Sequence, residues 1–132
     1  MAIIFPKKTT YDTPEGNYRV VVREAFEMAG SKLRIIFQIL SLAHRTLIYL
    51  AGKNYPPGKQ TLADDLFDWL GTDEVHKFIK DDGTVDVAKL KGQLADIQIV
   101  HINNDDHDLP FAYVSKIKPA GTLTPDFESD AA

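Results

Sequence analysis

From residue 17 the apolar positions alternate. In "NYRVVVREAFEM" (17–28), Tyr18, Val20 and Val22 oppose Arg19, Val21 and Arg23, the period of two that predicts a β-strand with one charged face. The turn "AGSK" leads to "KLRIIFQILS" (32–41), where Leu33, Ile35, Phe37 and Ile39 alternate with Arg34, Ile36, Gln38 and Leu40. This predicts a second strand, apolar on one face and mixed on the other. "RTLIYLAG" (45–52) reads as a third, short strand rich in β-formers. The period then lengthens: Leu62, Leu66, Trp69 and Leu70 stand at helical spacing. Thr61 and Asp64 form a Thr-x-x-Asp start, and Gly71 supplies the stop. "TDEVHKFIK" reads as a second short helix and "VDVAKLKG" as a further helical turn. "QLADIQIVHINN" is a fourth strand, "NDDHDLP" a loop and "FAYVSKIKP" a fifth strand.

This order predicts a mainly β fold with a helical insertion. The sequence shows no internal repeat and no βαβ alternation of the kind that builds a parallel nucleotide-binding sheet. Five strands with a helical segment between the third and fourth match the connectivity of a five-stranded OB-fold-like barrel. That fold holds oligonucleotides on its strand 2–3 face and in two of its loops. Residues 1–15, with Pro6 and Pro14, read as an N-terminal arm. Residues 16–121 form the barrel, and 122–132 an acidic tail expected to be disordered at its end.

Length and composition narrow the class. A chain of 132 residues fits one domain with a real core. It has no cysteine, which excludes disulfides and thiolate metal sites. Four residues separate Met1 from Pro6, too few for a signal-peptide core, and no stretch approaches a membrane span. A cytoplasmic location without membrane attachment is the expectation. The net charge of −4 hides an asymmetry: residues 1–60 carry nine Lys/Arg against four Asp/Glu, and residues 61–120 carry six against twelve. Local potential, not net charge, steers a polyanion, so a basic first half keeps nucleic acid open as a partner.

Several chemistries fail on spacing. "GKNYPPGKQT" (52–61) looks like a phosphate-binding loop, but five residues separate Gly52 from Gly58 and Gln60 follows Lys59. The motif needs four residues and then Ser or Thr, and Pro56 and Pro57 lack the N–H groups that cradle phosphate. His101, Asp105, Asp106, His107 and Asp108 offer metal-ligand types. Their spacing matches no zinc or calcium signature, and Asn and Asp favour turns in any case. Ser31, Ser41 and His44 form no recognised nucleophilic arrangement. The expectation is a protein without catalytic residues, cofactor or metal. A small metal-dependent hydrolase at the His/Asp loop is the remote alternative.

Binding to single strands needs cations along a groove and rings on which bases stack. The first half has both. Arg19 and Arg23 share a face of the first strand, Lys32 lies in the turn and Arg34 on the second strand. Arg45, Tyr49, Lys53, Tyr55 and Lys59 follow, and Tyr113 and Lys116 add a pair on the last strand. Phe37, Phe67 and Trp69 sit on apolar stripes and are expected in the core. Tyr55, between two lysines and beside two prolines, is expected to be exposed and to stack on bases.

The segments "PEGNYRVVVREA", "KLRIIFQI", "LKGQLADIQIVH" and "LPFAYVSKIKPAG" together resemble small phage and prophage proteins of the single-stranded DNA-binding type. The likeness covers most of Thr13–Leu123, and its matching positions Gly16, Tyr18, Gly92, Tyr113 and Pro119 are architectural. It implies an OB-fold and a role in phage or mobile-element replication or recombination. Bacterial single-stranded DNA-binding proteins end in an acidic segment closing on a hydrophobic residue, which recruits replication and recombination partners. Here "TPDFESDAA" is acidic and holds Phe127 but closes on two alanines. It is left open whether that tail recruits a partner, competes with DNA or does neither. A protein-interaction barrel without nucleic-acid binding, a replication accessory or virion component, is the alternative the acidic second half keeps in view, and barrels of this kind often assemble into homo-oligomers through exposed strand edges.

Overall fold

The structure, a computed structural model, describes residues 2–42, 44–102 and 111–125. They form six strands: β1 (Lys8–Thr10), β2 (Gly16–Met28), β3 (Lys32–Ile39), β4 (Leu47–Tyr55), β5 (Leu94–Ile102) and β6 (Phe111–Lys118). Helices α1 (Gln60–Leu70) and α2 (Val87–Leu90), with a 3-10 turn at Val75–Phe78, fill the connection from β4 to β5. The fold is mainly β, and its helical part lies where the change of period put it.

Alternation sets the faces of the sheet. Val20 pairs with Ile39 and with Ala95, and Val22 pairs with Phe37, so one face of β2, β3 and β5 is continuous apolar surface. Gly30 (φ 79°) and Ser31 (φ 59°) both adopt left-handed backbone, which lets three residues turn β2 into β3. The register of that pair shifts between Val22 and Glu24, leaving Arg23 as an extra residue. A second shift lies between Gln98 and Ile99 on β5. Such bulges bend and twist a sheet. Helix α1 lays Leu66 and Trp69 into the core, where the Trp69 ring meets Phe37 edge-on at 6.4 Å between centroids. The edge geometry is worth roughly 0.5–1.5 kcal/mol beyond the buried area. Trp69 also satisfies its Nε1–H on the Leu94 carbonyl at 2.9 Å.

The sheet differs from the expected five-stranded closed barrel. Its order is β1-β4-β3-β2-β5-β6, and every pair is antiparallel except β1 with β4. The sixth strand comes from the first fifteen residues. Their prolines point to an arm, but Thr9 and Thr10 are β-formers and lie beside Ile48 and Tyr49. The start of β4's outer edge is thereby occupied. Among the described residues no ladder joins β4 to β6, although the sheet curls enough to set Lys53 Nζ of β4 5.4 Å from the Tyr113 ring of β6.

Smaller differences have local causes. The helix starts at Gln60, and Lys59 occupies the cap position without a side-chain hydrogen bond, so Thr61 is not the cap. Gly71 ends the helix as expected, donating its N–H to Phe67 O. Phe67, expected in the core, is 47% exposed: the buried stripe of α1 runs through Leu66 and Trp69, and Phe67 falls beside it. Among the described residues no helix is long and apolar enough to cross a membrane. The end of the acidic tail, from Asp126, lies outside the described residues.

Candidate nucleic-acid interface

Lys53 and Tyr55 correct the sequence reading most sharply. β4 does not end near Gly52 but runs to Tyr55, so the alternation through Ala51 continues inward. Lys53 lies opposite Ile35 and Tyr55 opposite Leu33, both on the core face. Tyr55 is 2% exposed, and it cannot act as a stacking ring. Lys53 is equally withdrawn, and its Nζ donates to Asp65 Oδ2 of α1 at 2.7 Å. The Tyr55 hydroxyl donates to the same oxygen at 2.6 Å. The ammonium lies 5.4 Å from the centroids of both the Tyr55 and Tyr113 rings, within cation–π range. Burial first, and then the Asp65 carboxylate, push the Tyr55 hydroxyl far above the ordinary tyrosine range. This cluster ties α1 and β6 to β4.

Arg19 is likewise engaged. It donates its Nε to Asp96 Oδ1 at 2.6 Å, and Asp96 is fully buried on the other face of the sheet. The remaining cations spread out. Lys32 begins β3 at the hairpin, Arg45 is exposed before β4, Lys59 precedes α1, and Lys116 is exposed on β6. Arg23 is half-buried at the bulge, Tyr49 packs half-buried against the core, and Tyr113 keeps about a third of its surface open.

Of the predicted residues, the structure brings Lys53, Tyr55 and Tyr113 together in the buried cluster, whereas Arg34 meets its neighbours on the outer face. It points to the outer face of β3, opposite Asn54, and donates Nη1 to Asn54 Oδ1 at 2.7 Å. Its guanidinium lies across Gly52, so close that a Cβ there would sit 2.7 Å from Nη2. The guanidinium carbon is 6.0 Å from the centre of the Tyr11 ring, which is 46% exposed. Beside this pair a groove of about 490 Å³ opens, lined by Tyr11, Asp12, Arg34, Gly52, His101 and Ala112 among others. That volume falls within the roughly 300–1,000 Å³ of small-ligand sites.

The segment after β1 builds one wall of this groove. Thr13 is buried and donates Oγ1 to Leu50 O at 3.1 Å, while its carbonyl accepts from His101 Nε2 at 2.8 Å. The Tyr18 hydroxyl donates to Pro14 O at 2.7 Å, and Glu15 accepts the His101 N–H at 2.8 Å. Residues 11–15 thus bridge from β4 to β5 and tie this wall of the groove to the sheet.

Tyr11, Asn54 and Asp65 were missed by sequence reasoning, and His101 was singled out only as a metal-ligand type, not as a wall of this groove. Extending the alternation of β4 by three residues would have placed Lys53 inside and called for a buried acid such as Asp65. Tyr11 carried no such signal, because a ring in a proline-flanked polar arm has no periodicity around it. Among the described residues no group of three His, Asp or Glu could hold a metal. The His/Asp loop 103–108 lies outside the described residues. The chain matches no protein-family model, no curated protein and no solved structure.

Proposed function

We propose that the protein binds single-stranded DNA, without catalysis, on the outer face of β3 and β4. The observation that carries this is the Arg34–Tyr11 pair beside an open groove. A guanidinium suits a phosphate, an exposed ring suits a base, and stacking contributes roughly 1–3 kcal/mol per base. The strand order from β2 onward, with β6 curling toward β4, supports an OB-like architecture whose second and third strands would be β3 and β4. With the motif resemblance, this supports a role in phage or mobile-element replication or recombination in the cytoplasm of a bacterial host.

A fluorescence titration with a labelled single-stranded oligonucleotide tests the reading. Binding should weaken steeply as salt rises, and both Arg34→Ala and Tyr11→Ala should lower affinity without unfolding the chain. Salt-independent binding, or variants that bind as well as the parent, would count against it. A second reading, a protein-interaction module, is favoured by the exposed apolar run Ile3, Ile4 and Phe5 ahead of β1. No shift of oligonucleotide at low salt would select it.

A further inference from the structure

The groove beside Arg34 holds a carboxylate as well as a cation. Asp12 lines it together with Tyr11, His101 and Ala112. A carboxylate repels the phosphate backbone, so a groove built only for phosphate would leave it out. It accepts well, however, from an amino group on a base. The backbone that carries Asp12 is held in place. The Asp12 N–H donates to Thr10 Oγ1 at 3.1 Å, the Thr13 N–H donates to Tyr11 O at 2.9 Å, and Thr13 is held from both sides by Leu50 and His101.

We infer that this groove takes one unpaired nucleobase and that Asp12 selects bases bearing an amino group, favouring cytosine over thymine. The inference rests on the reading that this face binds single-stranded DNA. The base stacks on the exposed Tyr11 ring, Arg34 meets the phosphate beside it, and the Asp12 carboxylate accepts from the base edge. Cytosine and thymine have the same size and stack alike, but cytosine presents N4–H₂ where thymine presents the O4 acceptor. One is matched to a carboxylate and the other repelled by it.

The test compares labelled octamers of deoxycytidine and deoxythymidine in mildly alkaline buffer, which keeps the deoxycytidine strands unpaired. The full chain should bind deoxycytidine about five- to tenfold more tightly, the scale of one well-placed hydrogen bond. Asp12→Asn, whose amide also donates to O4, should remove most of that preference, and Asp12→Ala should bring the two octamers level. Tyr11→Ala should weaken both octamers alike. Equal affinity of the parent protein for the two octamers overturns the base selection while leaving single-strand binding intact. A preference that persists in both Asp12 variants overturns the assignment to Asp12. Binding of neither octamer overturns the inference together with the function it rests on.

Discussion

Arg19 donates its Nε to Asp96 Oδ1 across 2.6 Å, and the other oxygen of that carboxylate accepts the backbone N–H groups of Gly121 and Leu123 at 2.8 and 3.0 Å. An arginine that the sequence placed among the DNA-binding cations is therefore part of a clasp that fastens the chain beyond β6 to the sheet. Asp96→Ala removes three charge-assisted hydrogen bonds and should cost about 2–4 kcal/mol, although Arg19, with its side chain 36% exposed, can turn to solvent. Arg19→Ala should cost less, because the two backbone donors still hold the carboxylate. Urea unfolding midpoints of the two variants give the order, and equal losses would contradict it.

The cluster at Lys53 gives a sharper stability test. Asp65→Ala strands a buried ammonium and should cost about 3–5 kcal/mol. Replacing both partners together, Lys53→Met with Asp65→Leu, should recover part of that loss, the remainder reflecting the Tyr55 hydroxyl left without its acceptor. Thermal unfolding of the single and double variants checks this, and a strictly additive double variant would rule the coupling out.

The Tyr55 hydroxyl makes stability fall at high pH. Its folded pKa is raised by burial and by Asp65, so above about pH 10 the unfolded chain loses a proton that the folded chain keeps. Unfolding then becomes easier by about 1.4 kcal/mol per pH unit, while below pH 10 this group adds no slope. Tyr55→Phe should lose the Asp65 hydrogen bond at neutral pH and flatten the alkaline fall. Denaturant midpoints across the alkaline range give the comparison.

Gly52→Ala separates binding from stability. The closest atoms to the added Cβ are those of the far end of the flexible Arg34 side chain, so stability should change by no more than about 0.5 kcal/mol. The guanidinium must leave its place beside Tyr11, and affinity for single-stranded DNA should fall by about fivefold. Tyr55→Ala should do the opposite. It removes a core ring at a cost of about 3–5 kcal/mol, and any change in binding should follow from unfolding. Paired titrations and melting curves distinguish the two.

The strands from Tyr18 to Ile39 were legible because each alternates cleanly and each has one buried face. Local signals also located the helical connection and its stop at Gly71. What failed did so where alternation crosses polar residues. Lys53 and Tyr55 continue the inward face of β4, yet their chemistry argues for solvent, and the partner that makes burial tolerable is ten or more residues away on α1. β1 failed for a related reason. Three residues carry too little pattern to reveal a strand, and a parallel partner at Leu47–Tyr49 leaves no hairpin turn to read. Of the candidate site, Arg34 was visible from its place on a mixed face. The ring it meets was not, because Tyr11 reaches it only through that long-range pairing.

The bridge at residues 11–15 has a consequence for how the site comes into being. Thr13 and His101, which join one wall of the groove to the sheet, are 88 positions apart in the chain. Contacts between such distant residues close large loops and tend to form late in folding. A half-folded intermediate holding only the β2–β3–β4 meander would have Arg34 but no groove. Occupancy of the groove therefore draws on the whole fold, and a bound strand should raise the free energy of global unfolding by mass action instead of merely quieting a loop.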